Sequence, residues 1–207
     1  MGPDRPVVTP TFAAAAHSFA DLVGRIPADA WSKLGLGDWD VRSLVGHTSR
    51  SLITVLTYLE TTADRADIAS PQEYYARVNP TALGMDPADV AERGRQAGRD
   101  LGDDPAAAVA DLVTQALARV ETADDPLIQV IGGLGIRLRD YLPTRTFELA
   151  VHSLDIARAI GISFTLPPSV LEEALVLAAR IAAQEHGETV LMALTGRDEL
   201  PPSFSIV

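Results

Sequence analysis

Apolar side chains return every three or four positions along most of this chain, the period of a helix laid against a core. Phe12, Ala16, Phe19, Val23 and Ile26 predict a first helix from Thr11 to about Ile26, stopped by Pro27. Gly35 and Gly37 predict a loop, after which Asp38 or Asp40 caps a second helix running to about Glu60. Val41, Leu44, Val45, Leu52, Leu56 and Leu59 form its inward stripe. From Thr61 to Pro87 the period is lost. Pro71, Pro80, Gly84 and Pro87 stand among polar residues, which predicts a long connection with one short helix at "QEYYARV".

A helical region follows and breaks at "GDDP". Asp104 before Pro105 marks the next helix start, with Val109, Leu112, Val113, Ala116 and Leu117 inward as far as about Val120. "DPLIQVIGGLG" reads as β-like or irregular. A helix from about Pro143 to Ile160 ends at Gly161, and Pro167 and Pro168 open a last long helix to about Glu185, with Val170, Ala174, Leu177 and Ile181 as its stripe. The tail after it is mixed, with a short strand expected at Thr189–Leu194. No internal repeat or low-complexity tract interrupts the pattern. Four or five long helices with short stops predict an all-α helical bundle with an extra helix and a small irregular or β-like tail, in one domain spanning residues 1–207.

Composition narrows the function classes. Hydrophobic residues make up 47% of the chain and aromatics 5%, which favours a packed helical core. A net charge of -11 repels phosphate backbones and anionic lipid surfaces, so neither nucleic acid nor membrane is expected as a partner. With no cysteine there is no disulfide, thiol nucleophile or Cys-ligated metal; any thiol chemistry must use an external thiol. "MGPDRPVVTP" has neither the basic nor the apolar stretch of a secretory signal, and Pro6 spoils a myristoylation pattern. The apolar run "ALVLAARIAA" is broken by Arg180. A cytoplasmic protein is the expectation.

The helix "RTFELAVHSLDIARAIG" departs from a plain core pattern. Arg145, Glu148, His152 and Asp155 fall on one stripe roughly 80° wide at about 100° per residue. Leu149 and Ile156 flank it on one side, Val151 and Phe147 on the other. Apolar shoulders on both sides point the stripe inward, where an unpartnered carboxylate or imidazole costs several kcal/mol, on the order of 2–7. Two arrangements satisfy it. Glu148 pairs with Arg145 while His152 makes an ordinary core hydrogen bond, or Glu148 and His152 act together as ligands of one divalent metal.

The chain has four histidines. His17 reads as a surface or packing residue, and His186 as a cap at a helix end. His47 lies beside the apolar stripe of its helix, on the side of Leu44, Ser51, Thr54 and Tyr58, a small-polar margin suited to a pocket wall. Its spacing alone allows a core-edge histidine or a third ligand. With Glu148 and His152 it would make an open three-ligand set, the catalytic kind.

Two segments carry a family resemblance. "WDVRSLVGHTSR" resembles the W-x-V-R-x-L-x-x-H signature of the mycothiol-dependent maleylpyruvate isomerase family, whose N-terminal domain belongs to the DinB-like metal-binding bundles. "LRDYLPTRTFELAVHSLDIARAIG" resembles its R-x-x-E-x-x-x-H-x-x-D signature, and "LTGRDELPPSFSIV" its usual domain ending. The resemblance runs from Trp31 to the C-terminus. It implies a four-helix core, a divalent metal with zinc as the expected ion, and mycothiol, the low-molecular-weight thiol of actinobacteria, as cofactor. His47, Glu148 and His152 match the family's metal ligands. Arg145 and Asp155 match positions expected to orient them.

The isomerase itself resembles a two-domain protein, and this chain stops where the sterol-carrier-like C-terminal domain would begin. The expected function is therefore a metal- and mycothiol-dependent S-transferase or isomerase acting on a small electrophile. A non-catalytic metal-binding or regulatory bundle and a metal-dependent hydrolase are the alternatives. A homodimer is an allowed assembly. No Ser-His-Asp set is evident, and "GGLG" lacks the spacing of a phosphate-binding loop.

Overall fold

The computed structural model describes residues 10–78, 84 and 86–207, and its helices begin where local cap chemistry puts them. Helix α1 is Pro10–Val23. It ends one turn before the expected Ile26, because Arg25 and Ile26 already bond the Leu22 and Val23 carbonyls in a tighter turn around Gly24. The loop at Gly35 and Gly37 is a small hairpin of β1 (Leu34–Leu36) and β2 (Trp39–Asp40). Asp40, and not Asp38, caps α2 (Val41–Tyr58), its carboxylate accepting the Ser43 amide at 2.7 Å. Within α2, Val41, Leu44, Val45 and Leu52 are fully buried as expected, while Leu56 and Leu59 are half-buried and Val55 takes the inward place.

The long connection contains α3 (Pro71–Arg77), capped by Ser70, with Glu73 reaching back to the Ala69 amide at 2.9 Å. Pro80 lies outside the described residues, as does the N-terminal stretch 1–9. Asp86 and Asp104 cap α4 (Pro87–Asp100) and α5 (Pro105–Glu121), each with proline as the first helical residue. The β-like segment is an antiparallel pair, β3 (Leu127–Gln129) and β4 (Gly135–Arg137), with Ile128 opposite Ile136. A tight turn joins them through Gly132 and Gly133, both at positive φ.

Helix α6 is Leu138–Ile160, with Gly161 closing it at φ 71°. It begins five residues before Pro143. The proline removes one backbone donor, but Leu138, Tyr141 and Leu142 are fully buried ahead of it, and Asp125 accepts the Arg139 amide at 2.9 Å in place of a cap. Burying each such large apolar side chain contributes roughly 1.5–3 kcal/mol, enough to offset one lost hydrogen bond. Helix α7 is Pro168–Glu185, and α8 is Gly187–Leu194. The expected strand at Thr189–Leu194 is thus a helix. No strand among the described residues lies there to pair with it, whereas α7 offers a surface against which a helix packs.

Helices α1, α2, α5 and α6 form the four-helix core, α1 and α2 each touching both α5 and α6. Helix α4 packs on α2, and α7 along α1 and α6. The α2–α4 contact is backbone on backbone. A Cβ added at Gly46 would sit 2.1 Å from the Gly98 amide nitrogen, and one at Gly98 would sit 2.7 Å from the Arg42 carbonyl oxygen. Arg42 Nε reinforces the contact by donating to the Gly98 carbonyl at 2.9 Å. No helix among the described residues is long and apolar enough to cross a membrane.

Candidate metal centre

The facing sides of α2 and α6 carry the site. His47 stands one residue past Gly46, so the close α4 approach fixes the helix that presents it. Trp39 covers the outer face of its ring, with centroids 4.4 Å apart, and is itself tied to α4 by a 2.8 Å bond from Nε1 to the Ala91 carbonyl. Gly94 leaves room for that indole, since a Cβ there would lie 2.6 Å from it.

From α6, Glu148 and His152 project one turn apart, with Glu148 Oε2 3.4 Å from His152 Nε2. The His47 ring meets the His152 ring edge-on, centroids 5.1 Å apart. One ligand atom from each of the three residues lies within 4.8 Å of the others, a group that could hold a metal ion. Zinc bonds of about 2.0–2.1 Å at tetrahedral angles separate donors by roughly 3.3 Å. Two imidazole nitrogens and a carboxylate oxygen are a donor set that could hold a divalent ion, and the Glu148–His152 separation is already close to the required value.

The outer atoms of the same groups are occupied. Asp155 Oδ2 lies 3.2 Å from His152 Nδ1, which leaves Nε2 facing Glu148. The Tyr75 hydroxyl donates to Glu148 Oε1 at 2.8 Å, which leaves Oε2 facing His152. In the metal-free chain a protonated His152 thus bridges two carboxylates. Burial opposes that charge, but the hydrogen bonds to Asp155 and Glu148 outweigh it and raise the imidazole to about 9. Burial also acts against the Glu148 carboxylate. The His152 hydrogen bond and the Arg145 charge prevail and hold it down at about 2. No carboxylate among the described residues hydrogen-bonds His47; burial and the neighbouring His152 charge outweigh the Glu148 charge and push it down to about 4.

Arg145 does not form the i,i+3 ion pair with Glu148 that the spacing allows. Its guanidinium lies over the rings of Tyr141 and Tyr74, at 4.9 and 5.3 Å from their centroids, and its Nε donates to Thr144 Oγ1 at 3.0 Å. The Val151 shoulder inferred for the stripe is exposed, because α6 turns that edge to solvent. His17 is exposed on α1, and His186 ends α7, its ring edge-on to Phe204.

A cavity of about 240 Å³ opens beside the cluster, lined by His47, Glu148, Ser51, Thr54 and Tyr58 among others. The small-polar margin of α2 is therefore a pocket wall. Sequence reasoning missed Tyr75, Tyr74, Tyr141 and Trp39. Tyr74 and Tyr75 sit within the "QEYYARV" segment, but nothing in their spacing shows that α3 reaches α6. Trp39 stands inside the first signature and was the one accessible signal.

A family model described as the mycothiol maleylpyruvate isomerase N-terminal domain, of the DinB-like superfamily, matches residues 12–157. No curated protein and no solved structure matches the chain. The matched residues span well over half of the sequence, from the first core aromatic past Asp155, and take in the four core helices almost entirely. The chain belongs to the mycothiol maleylpyruvate isomerase N-terminal domain family.

Proposed function

We propose that this chain is a metal-dependent enzyme that uses mycothiol, or a similar small thiol, to transfer sulfur to a small electrophile or to isomerise it. The observation that carries this reading is the convergence of His47, Glu148 and His152 at one cavity wall, with Asp155 and Tyr75 fixing the outer atoms of two of them. Zinc suits the mixed nitrogen and oxygen donors. A divalent ion bound there supplies the positive charge that keeps a coordinated thiol deprotonated at neutral pH.

The chain's own residues do the rest. Asp155 holds the His152 ring by Nδ1, so that Nε2 presents its lone pair once the ring is neutral. Tyr75 occupies one Glu148 oxygen and leaves the other as a single donor. His47, pushed down to about 4, is neutral at pH 7 and already suited to ligation. The cavity beside them has room for a small substrate. In transfer, the electrophilic carbon gains the sulfur and loses its leaving group. In isomerisation, an activated double bond accepts the sulfur, turns about the resulting single bond and expels it again. Both need the same arrangement of ligands.

The test is thiol consumption in the presence of a bimane halide, followed with zinc-loaded protein, after chelation and after zinc is restored. Consumption that vanishes on chelation and returns with zinc supports the reading. Consumption unchanged by complete metal removal contradicts it. Retained zinc with no consumption of thiol would instead make the chain a metal-binding module.

A further inference from the structure

Helix α7 is apolar on two faces. Val170, Ala174, Leu177 and Ile181 are buried in the core. The other side carries a second row, Leu171, Leu175, Ala179 and Ala183, each four residues from the last, with Val176 beside it. All five are exposed, Leu175 the most among them at 61% for the large side chains. A helix that is apolar all round is normally covered on every side, and no described residue buries this row.

Two charged side chains lie on the same face, Glu172 and Arg180. Both are exposed, and neither belongs to an ion pair among the described residues. Glu173 is half-buried and faces Thr11 and Thr146 instead. A net charge of -11 makes most of the surface repel a second copy. Between Leu171 and Ala183 the outward face balances one acid with one base, so that repulsion is weakest there.

The order of these residues matches the face to itself. Glu172 and Arg180 stand four residues either side of Val176. Leu175 and Ala179 stand two residues either side of Leu177, and Leu171 and Ala183 six. A two-fold axis through this point therefore sets each leucine against an alanine, a large side chain into the hollow left by a small one. The same axis sets each Glu172 against an Arg180. A parallel arrangement would instead bring glutamate to glutamate and arginine to arginine, which is unfavourable.

We infer that two copies of this chain associate through α7, packed antiparallel about a two-fold axis near Val176, with Glu172 meeting the partner's Arg180 at both ends. The row is about 18 Å long at 1.5 Å per residue. That is short for a permanent interface, so the dimer is reversible and concentration-dependent. It leaves the facing sides of α2 and α6 free.

The experiment is sedimentation velocity over a concentration series up to millimolar. Wild type, Glu172→Arg, Arg180→Glu, the double variant, Leu175→Asp and an equimolar mixture of the two single charge variants are compared, each checked by circular dichroism. Wild type should pass from monomer to dimer as concentration rises. Each single charge variant places like charges together at both ends of the contact and should weaken association at least about tenfold. The double variant exchanges the two signs, keeps the net charge and should restore it. In the mixture, arginines of one chain meet glutamates of the other, so the two should associate more tightly than either does alone. Leu175→Asp should remain monomeric. A wild-type chain that is monomeric at every concentration would overturn the inference. So would a dimer indifferent to the single variants, which would use another face, or a double variant as weak as the singles.

Discussion

His47 and His152 face each other edge-on, ring centroids 5.1 Å apart, with opposite affinities for a proton. His47 is held down at about 4 by burial and by the charge of its neighbour, while the carboxylates of Asp155 and Glu148 hold His152 up at about 9. At pH 7 the pair therefore carries one positive charge, from the extra proton on His152. A metal needs both rings neutral, so zinc must displace that proton. Apparent zinc affinity should rise about tenfold per pH unit between pH 7 and 9 and level off above that. Calorimetry near neutral pH, in buffers of different ionisation enthalpy, should find about one proton released per ion. An affinity flat from pH 7 to 9 would contradict the assignment.

The same shifts set the stability of the chelated protein. The folded-state pKa of His152 is raised from 6.5, so its contribution is complete below that pH and is lost as pH rises through about 9. His47 is lowered from 6.5, so the unfolded chain gains the proton first and stability falls as pH drops from 6.5 through about 4. Glu148 is lowered from 4.5; its contribution is present above that pH and is lost as pH falls through about 2. The unfolding free energy of chelated protein, from urea titrations, should peak near pH 6.5 and fall on both sides, by on the order of 1–3 kcal/mol. A midpoint rising steadily from pH 6.5 to 9.5 is the contrary result.

Tyr75→Phe removes the hydroxyl that donates to Glu148 Oε1. Orienting groups of this kind are worth roughly 10–100-fold in metal affinity. Competition against a chromophoric chelator should show at least a tenfold loss, with the helical circular dichroism unchanged. Wild-type affinity in the variant would mean that Tyr75 does not orient the ligand.

The α2–α4 contact predicts a contrast between two glycines. Gly46→Ala places a methyl 2.1 Å from the Gly98 backbone, whereas a Cβ at Gly24 meets nothing nearer than 3.6 Å. Gly46→Ala should cost about 1–3 kcal/mol, as overpacking does, while Gly24→Ala stays near neutral. Because Val90 and Arg93 of α4 line the cavity, Gly46→Ala should also weaken ligand binding there. Equal melting temperatures for the two variants would refute the backbone-on-backbone contact.

What the sequence disclosed was local. Caps such as Asp104 before Pro105 act within one turn and leave a readable pattern. Glu148 and His152 share a face because they are four residues apart. The start of α6 misled, because Pro143 looks like a beginning when the helix is in fact anchored upstream by buried Leu138 and Tyr141. The strand expected at Thr189–Leu194 is a helix, because strand preference is weak without a partner strand. Tyr75 joins the site only through packing between distant segments, which no single-helix period reveals. His47 joined Glu148 and His152 through a family signature, where spacing alone left it a core-edge histidine.

The central claim is that His47, Glu148 and His152 bind one metal ion together. Its most direct test is the metal content, by mass spectrometry, of protein purified as wild type, His47→Ala, Glu148→Gln and His152→Ala, each checked for its helical signal. The account predicts close to one zinc per wild-type chain and a large loss in all three variants with the fold retained. Equal metal content in wild type and His152→Ala would contradict it.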